Sequence, residues 1–586
     1  MSASPNHISR RKLLKAVVFT GATAGLAACG GARPAAPAGE APSPTEAPPA
    51  AETPQEAPAT EAPAGAERIL NLNMPSFYGD PGAGTDPGCS GGANTVFTNQ
   101  LMFSALVYLN EKMEPTPDCA ESWTPNEDSS VWTFKLRKDL KWSDGTPITA
   151  KDFEWTVKRN VSPDISCGGG ILYMMDIIKG AADYAGKVTT DPDTIGVKAL
   201  DDHTLQFELT GPAGFFPIMV SYPTYAPLPK DRIEQYGKDT QWTQPQYVLS
   251  NGPFKLVEWK RDEYMTMLPN EHWHGYTEAQ PGLDKLNIKM LKNQATAIAA
   301  YETGELDIIE VPSGDLPRVK NDAVLSQQLI TYAELFTQYM LIPVSAKPFD
   351  DVRVRQALAI AIDRDAISDV LAGTVTPAYQ FLPPTMLGYD KDLNPEMAYN
   401  PDKARQLLAD AGFPKGEGFP KFWINSNHTD DYQTMFEAIS AMYKDVLGIE
   451  MELALMDPGA RGAWREQEPR RLHLWRERWG MDFPDSHNSM NFMVTGRLKG
   501  DYSKIPEWGG YKSTDRVAPL VEEAARSADP ARRHELYRQA DRILTWEDPY
   551  LIPIYYYVAN LMMKPRVKGV YVTGMGPNYR RVSVEG

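Results

Sequence analysis

Residues 120–159 read AESWTPNEDSSVWTFKLRKDLKWSDGTPITAKDFEWTVKR. Within them Trp132, Phe134 and Leu136 alternate with polar residues, which is the period of a strand with one buried face. Asp144-Gly145 then marks a turn, because glycine accepts a positive φ at little cost. The first part of this stretch therefore predicts a half-buried strand followed by a sharp turn.

A helix is predicted directly after that turn. Thr149 is a candidate N-cap, and Asp152 stands three residues later, where a capping box places its acidic partner. Phe153 and Val157 are four residues apart and so share one face of the helix. The whole stretch thus predicts one strand–turn–helix unit.

Length and composition indicate a globular protein of several domains. The chain has 586 residues, of which 42% are hydrophobic and 23% charged, and a chain of this length divides into about three or four domains. Its net charge of −17 argues against nucleic acid or an anionic membrane surface as a partner, because both would repel it.

The N-terminus has the features of an export signal rather than of a folded domain. Ser9 to Lys15 resembles a twin-arginine motif, and Ala16 to Ala28 is an apolar segment too short to span a bilayer. Leu26 to Gly30 resembles a lipobox, which would make Cys29 the lipid-bearing first residue of the mature chain. The alternative is a plain signal peptide with a chance cysteine.

A tether is predicted between this signal and the folded body. Residues 30–66 are mostly alanine, proline, glutamate and threonine, and such a segment cannot bury enough apolar surface to fold. It is expected to behave as a stiff, partly polyproline spacer. No other segment is apolar for long enough to be a membrane helix, so lipid would be the membrane attachment.

Three further cysteines follow Cys29. Cys119 is interpreted as a small buried hydrophobe. Cys89 and Cys167 lie in glycine-rich loops, and we expect them to form a disulfide. His272 and His274 could share a strand face and hold a metal, but a polar turn is the favoured interpretation, and no cysteine spacing resembles a zinc cage. We therefore expect neither a metal nor a cofactor.

Helices and strands alternate along the rest of the chain, which indicates an α/β fold. The predicted elements are strands at 69–73, 196–209 (a hairpin), 251–259 (a turn and then a strand), 305–311 and 552–557, and helices at 95–109, 295–303, within 348–364 (where Val354, Leu358 and Ile362 form a buried stripe), at 403–411 and at 531–545.

The run KWSDGTPITAKDF, Lys141 to Phe153, closely resembles the signature of the family 5 solute-binding proteins of ABC importers, which include peptide and nickel binders. Asn251 to Trp259 and Pro348 to Arg364 resemble two further family landmarks, in the family's order. The resemblance implies a periplasmic binding protein-like fold of class II, with two large lobes, an extra lobe, a hinge and an interlobe cleft.

The same resemblance implies where the lobes divide. Lobe I would be built from residues 67–110, 250–336 and 559–586, lobe II from 111–249, and lobe III from 337–558. The chain crossings between these segments would form the hinge on which the protein closes around its ligand.

A ligand site is implied at Arg476 to Asp485, read RERWGMDFPD. By resemblance, Asp482 would pair with the α-ammonium group of a peptide, Trp479 would wall the pocket, and Arg476 could meet a ligand carboxylate. Gly92 and Ala93 would offer backbone groups to an extended peptide. The alternatives are that Asp482 merely caps the turn that follows it and that Gly92 and Ala93 approach only another loop.

This sequence also departs from the family pattern. Long-peptide binders carry histidine and lysine groups for the ligand's carboxylate, and the positions that align with them are Ala372 and Tyr432. A cysteine pair of some relatives aligns with Phe336 and Gly480, so that disulfide is missing here. The length and charge of the preferred ligand are therefore open.

The sequence predicts a lipid-anchored, extracytoplasmic, monomeric binding protein that delivers a short peptide to a membrane permease driven by a separate ATPase. It is not expected to be an enzyme, since the nucleophile motif GxSxG and the metalloprotease motif HExxH are both absent. Two alternatives remain: a family member for an oligosaccharide or other non-peptide solute, and an exported hydrolase with a carboxylate pair or activated nucleophile.

Overall fold

The described part of the chain begins at Glu67. The computed structural model describes residues 67–73, 85–89, 93–165, 172–237, 240–276, 282–371, 374–457, 460, 473–491, 493, 514–527 and 529–585. The predicted export signal, Cys29 and the predicted tether lie outside these ranges. Residues 67–585 form one unit, and every element below belongs to it.

The strands are, in chain order, β1 (Ile69–Asn73), β2 (Val107–Leu109), β3 (Pro115–Pro117), β4 (Ala120–Pro125), β5 (Val131–Leu136), β6 (Val197–Asp201), β7 (Thr204–Glu208), β8 (Phe254–Lys260), β9 (Tyr264–Pro269), β10 (Lys285–Lys289), β11 (Ile308–Glu310), β12 (Leu329–Leu341), β13 (Val375–Pro377), β14 (Phe422–Asn427), β15 (Met451–Met456), β16 (His473–Gly480), β17 (Leu551–Met563), β18 (Val567–Lys568), β19 (Tyr571–Thr573), β20 (Gly576–Asn578) and β21 (Ser583–Val584).

The α-helices are α1 (Ala93–Met102), α2 (Ala150–Asn160), α3 (Ala181–Ala185), α4 (Phe216–Met219), α5 (Lys230–Tyr236), α6 (Gln294–Glu302), α7 (Leu316–Asn321), α8 (Val352–Ile360), α9 (Arg364–Val370), α10 (Pro401–Asp410), α11 (Asp430–Leu447), α12 (His487–Asn491), α13 (Thr514–Arg526) and α14 (Pro530–Arg542). Among the described residues, no helix has both the length and the apolar character to cross a bilayer.

A large mixed sheet runs through the body in the order β15-β14-β16-β12-β17-β11-β1-β10-β9-β8, with β13 added beside β17. The strands β12 and β17 have 13 residues each and pair antiparallel in the middle of this sheet. Their register shifts between Ala333 and Thr337, and such an irregularity bends a strand. The two longest strands of the sheet are therefore irregular where they pair near its middle.

A second sheet of four strands, in the order β4-β5-β7-β6, carries its own core. Trp132, Phe134 and Leu136 of β5 are 6% exposed or less, as the alternation predicted. Gly145 has φ +88° in the predicted turn. The capping box of α2 is also confirmed, because the Thr149 amide donates to Asp152 Oδ2 at 2.7 Å.

One helix is shorter than predicted. Helix α1 ends at Met102 rather than continuing to residue 109, and Val107–Leu109 forms β2. The Met102 carbonyl accepts the amides of Asn251 and Gly252, and the Asn251 side chain bonds both backbone groups of Ser104. Since these distant partners take the backbone groups that a longer helix would use, local sequence could not place the end.

Gly252 allows this contact to form. A Cβ atom at Gly252 would lie 2.7 Å from the Met102 carbonyl carbon and the Phe103 nitrogen, closer than non-bonded atoms approach. The landmark around Asn251 thus fixes β8 against the end of α1 through backbone contact.

The cysteines are described in part. Cys119 is fully buried and free, and burial raises the pKa of its thiol well above the usual value, so it behaves as the predicted small hydrophobe. Cys89 is disulfide-bonded. Cys167 lies outside the described residues, so the pairing of these two cysteines stays a prediction.

Candidate functional site

The turn after β16 brings Asp482 into the middle of the body. The strand β16 pairs with β12, so that Trp479 lies opposite Thr337 and Gly480 opposite Phe336. Directly after the strand, the Met481 amide donates to the Leu335 carbonyl at 3.0 Å. Leu335 lies in the irregular part of β12, and the position of Asp482 is therefore tied to that irregularity.

Asn488 joins two of the predicted site residues. Its Nδ2 donates to Asp482 Oδ2 at 3.1 Å, and its Oδ1 accepts from Trp479 Nε1 at 3.0 Å. Asn488 is itself buried. Sequence reasoning missed this residue, because an asparagine early in a short helix carries no signal that distinguishes it from a surface polar residue.

A second carboxylate, that of Asp485, also caps the segment after this turn, because its Oδ1 accepts the His487 amide at 2.9 Å. Asp485 is held by Arg533, whose two terminal nitrogens lie 2.8 and 2.6 Å from its carboxylate oxygens. Asp482 reaches the same segment through the side chain of Asn488, so its turn-capping role remains an alternative to ligand binding.

Asp482 is half-buried and lines a cavity of about 90 Å³. The cavity walls come from five parts of the chain: residues within 100–109, Asp118, residues 221–223, Asp482, and residues within 571–580. The Tyr222 side chain, from another wall, hydrogen-bonds Asp482. Burial raises the pKa of the Tyr222 hydroxyl well above its usual value, and its hydrogen bond and proximity to Asp482 add to the rise, so Tyr222 remains protonated beside the carboxylate.

Two other charged residues on the cavity wall neutralise each other. Arg580 donates to both oxygens of Asp118 at 2.8 and 2.6 Å, and His274 Nε2 lies 2.9 Å from the same carboxylate. Burial alone would raise the pKa of Asp118, but Arg580 and His274 hold it below its usual range. These contacts stabilise the buried ion pair, since an isolated charge there would be costly.

Asp118, Cys119 and His274 are also close enough together to hold a metal ion, with candidate ligand atoms within 4.8 Å of one another. Arg580 already occupies both oxygens of Asp118, and a thiol with a raised pKa is a poor ligand because metals bind the thiolate. The residues present therefore fit a buried ion pair better than a metal. His272, the other histidine considered from sequence, belongs to the turn after β9.

Arg476 lies apart from this cavity. It is 5% exposed, its guanidinium carbon lies 4.3 Å from the centre of the Tyr432 ring, and its Nη1 is 3.4 Å from Gln338 Oε1. The Tyr432 hydroxyl is 3.2 Å from that of Tyr557, which donates to the same Gln338 oxygen at 3.1 Å. Aromatic and amide groups thus lie beside Arg476, and Arg476 does not line the cavity that contains Asp482.

The other predicted positions are placed as follows. Trp479 is half-buried beside Asn488 and does not line the described cavity. Ala93 is the first residue of α1 rather than part of a loop, and Gly92 lies outside the described residues. Of the five ligand-site residues named from sequence, the structure brings together Asp482 and Trp479, through Asn488.

A larger cavity of about 650 Å³ lies next to α8. Its wall includes Asp351, which bonds Arg353, and Asp548, which bonds Arg355. Arg353 and Arg355 of the sequence landmark Pro348 to Arg364 are therefore structural ion-pair partners, and two of the cavity's carboxylates are already paired.

A cavity walled by five separate parts of the chain, with a carboxylate bonded to a tyrosine and an asparagine, is an arrangement that can hold a small solute. The family model of the bacterial extracellular solute-binding proteins, family 5, matches residues 114–501, and the chain belongs to that family. The sequence resemblance is thereby confirmed.

Curated relatives and solved structures agree with this assignment. The chain is 30% identical over 536 residues to the periplasmic oligopeptide-binding protein OppA of Salmonella typhimurium, covering 89% of this chain and 93% of the relative. It is 31% identical over 478 residues to the probable deoxycholate-binding periplasmic protein YgiS of Escherichia coli, covering 80% and 85%. The structure of the murein tripeptide binding protein MppA of Escherichia coli matches with a TM-score of 0.72 at 25% identity, covering 89% and 99%. The predicted α/β periplasmic binding protein fold is thus confirmed.

Proposed function

We propose that this chain captures short peptides outside the cytoplasm and delivers them to the permease of an ABC importer. The observation that carries the proposal is the placement of Asp482, half-buried on the wall of a cavity where five parts of the chain meet. The relatives named for oligopeptides and for a murein tripeptide support the same class of ligand.

The chemistry of the site fits an ammonium group. A carboxylate in a closing cleft is costly unless a charged partner or several hydrogen bonds compensate it. Asp482 receives hydrogen bonds from the amide of Asn488 and the hydroxyl of Tyr222, which orient the carboxylate while leaving it negative. A peptide's α-ammonium group would add a charge-assisted hydrogen bond.

The proposed lobes would close around the ligand by bending of the central strands β12 and β17. We propose lobe I as residues 67–110, 250–336 and 559–586, lobe II as 111–249 and lobe III as 337–558. The boundaries at 336 and 558 fall in β12 and β17, next to the register shift between Ala333 and Thr337. An irregular strand pair can bend without breaking a regular ladder, so ligand binding would select the closed arrangement.

Asp482→Asn tests the site. This change keeps the shape of the side chain and removes its charge, and charge-assisted bonds contribute more than neutral ones. We expect calorimetry with a free-amine tripeptide to show affinity reduced by about tenfold or more. The parent protein should discriminate by a similar factor against the N-acetylated tripeptide, and Asp482→Asn should not.

Asp392→Asn is a matched control, because its side chain is 80% exposed on the surface. It should bind the tripeptide as the parent does. Equal affinity of the parent and Asp482→Asn for the free-amine tripeptide would refute the proposed site while leaving the family membership intact.

A non-peptide solute is the second candidate, and one observation favours it. YgiS, named as a probable deoxycholate-binding protein, is about as similar to this chain as the peptide-binding relative, and Phe103, Leu109 and Met575 give the cavity apolar walls. Deoxycholate is an anion and would gain nothing from Asp482. Tight deoxycholate binding that Asp482→Asn leaves unchanged would therefore favour this candidate over the peptide.

The setting of the protein completes the proposal. We propose that Cys29 carries the lipid, that Cys89 pairs with Cys167, and that the monomer binds without catalysing a reaction or using a cofactor. Export followed by lipid attachment predicts that Cys29→Ala releases the protein from the membrane fraction. Continued membrane association of Cys29→Ala would contradict the anchor.

A further inference from the structure

The hairpin formed by β19 and β20 lies close to the C-terminus, and neither the sequence motifs nor the proposed ammonium site involves it. Thr573, Met575, Gly576, Pro577 and Asn578 all line the cavity that contains Asp482. A segment that forms so much of the wall must limit what can enter beside the carboxylate.

The hairpin is held in place at both ends. At its base, the Tyr571 hydroxyl donates to the Leu109 carbonyl at 2.8 Å. At its tip, the Leu335 amide donates to the Gly574 carbonyl at 2.9 Å. A Cβ atom at Gly574 would lie 2.8 Å from Leu335 Cγ, so the backbone contact at the tip leaves no room for a larger residue.

The same residue of β12 therefore positions both sides of the cavity. Leu335 donates to Gly574 of the hairpin and accepts the amide of Met481, the residue before Asp482. The distance between the hairpin tip and the Asp482 turn is thus set by two backbone hydrogen bonds rather than by mobile side chains. Sites supported in this way hold their groups precisely enough to discriminate between ligands.

Met575 is the hairpin residue best placed to discriminate. It is half-buried at the tip, and its amide donates to Thr573 Oγ1 at 3.1 Å, which fixes its backbone. Phe103, Leu109 and Tyr222 line the same cavity as Met575. The charged wall residues Asp118 and Arg580 bond each other, so a ligand group placed here meets mainly neutral surface.

We infer that Met575 determines which side chain is accepted on the amino-terminal residue of the ligand, and that this side chain is small and uncharged. The inference rests on the proposed function, because the ammonium group at Asp482 sets where that side chain lies. The small cavity of about 90 Å³ limits its size.

Two substitutions of Met575 test the inference with the tripeptides Ala-Ala-Ala and Leu-Ala-Ala. Met575→Ala enlarges the cavity and should raise the affinity for Leu-Ala-Ala relative to Ala-Ala-Ala by about tenfold, since an apolar pocket discriminates by this order. Met575→Trp should lower the same ratio. Val324→Ala, at an exposed position outside the cavity wall, should leave the ratio unchanged.

The outcomes separate this inference from the proposed function. If both Met575 variants fold with the parent's circular dichroism spectrum and keep the parent's affinity ratio, the assignment to Met575 is overturned. In that case the ammonium site would still be supported if Asp482→Asn no longer discriminated against N-acetylated tripeptides. If neither residue affects peptide binding, the proposed site itself fails.

Discussion

At the residue scale, the least expected feature is a neutral histidine among charged groups. His487 stacks on Phe215 with ring centres 4.4 Å apart, and its Nδ1 is 3.4 Å from the Tyr537 hydroxyl. Burial lowers the pKa of His487 to about 4, with Arg533 adding to the effect and Asp485 opposing it. The folded protein therefore favours the uncharged imidazole.

This shift predicts acid sensitivity. Between pH 6.5 and about 4 the unfolded chain binds a proton at His487 that the folded chain does not, so the free energy of unfolding rises with pH across that window. Its contribution is up to about 3 kcal/mol, at about 1.4 kcal/mol per pKa unit. Chemical denaturation at pH 4, 5, 6 and 7 should show a flatter profile for His487→Gln than for the parent.

The pH profile of His487→Gln is compared with that of the parent protein, because carboxylates elsewhere in the chain also titrate in acid and contribute to both profiles. Asp485, Arg533 and Tyr537 are the titratable groups that contact or face His487. His534→Gln is a control, since it changes the other histidine of this region, on α14. Parallel profiles for the parent and His487→Gln would show that His487 is not the source of the acid sensitivity.

At the element scale, local sequence predicted most of the secondary structure. Alternation placed β5, and the capping box placed the start of α2. These signals work because each depends on residues within one turn of the chain. The predicted end of α1 was wrong for the opposite reason, because it depends on distant residues. The amides of Asn251 and Gly252 donate to the Met102 carbonyl, where the helix ends.

The pairing of β12 with β16 could be predicted only in part. The positions where some relatives carry a cysteine pair are Phe336 and Gly480, and the structure shows that they are register partners. A Cβ atom at Gly480 would lie 2.1 Å from the Phe336 ring, so the ring fills the space over the glycine. The family resemblance indicated that these two positions are related. Only the structure shows that packing of the Phe336 ring over Gly480 stands where some relatives have a disulfide.

Only the part of the candidate site that lies in a recognisable motif could be predicted from the sequence. Asp482 and Trp479 lie in the resembled segment, but Tyr222, Asn488 and the β19–β20 hairpin have no local pattern that marks them. The hydrogen bond that joins Tyr222 to Asp482 connects two distant parts of the chain. Such contacts follow from how the sheets pack, and the sequence of either partner does not contain that information.

At the scale of the whole molecule, Phe215 joins the core of the four-stranded sheet to the turn that carries Asp482. Phe215 is 1% exposed, lies parallel to Phe483 with ring centres 6.1 Å apart, and has the Arg533 guanidinium 5.4 Å from its ring centre. Phe483 is the only buried member of that sheet's core cluster beyond residue 225 among the described residues. The proposed lobes II and III therefore meet through Phe215, as well as through the hydrogen bond between Tyr222 and Asp482.

Phe215→Ala should loosen this connection. Truncating a buried phenylalanine costs about 3–5 kcal/mol, and here the loss falls on the contact between the proposed lobes. We expect the ligand-free protein to populate more open arrangements, which raises the radius of gyration measured by small-angle scattering. Affinity for the free-amine tripeptide should fall as well, because the binding-competent state is less populated.

Phe349→Ala separates this effect from general destabilisation. Phe349 is fully buried and packs on Phe419 and Phe422, with ring centres 6.2 and 5.5 Å away, all within the proposed lobe III. The Phe349→Ala variant should lower the denaturation midpoint, as Phe215→Ala does, but should leave the radius of gyration of the folded protein unchanged. If the two variants scatter alike and bind alike, Phe215 contributes only stability, and closure must depend on the ligand and the central strands alone.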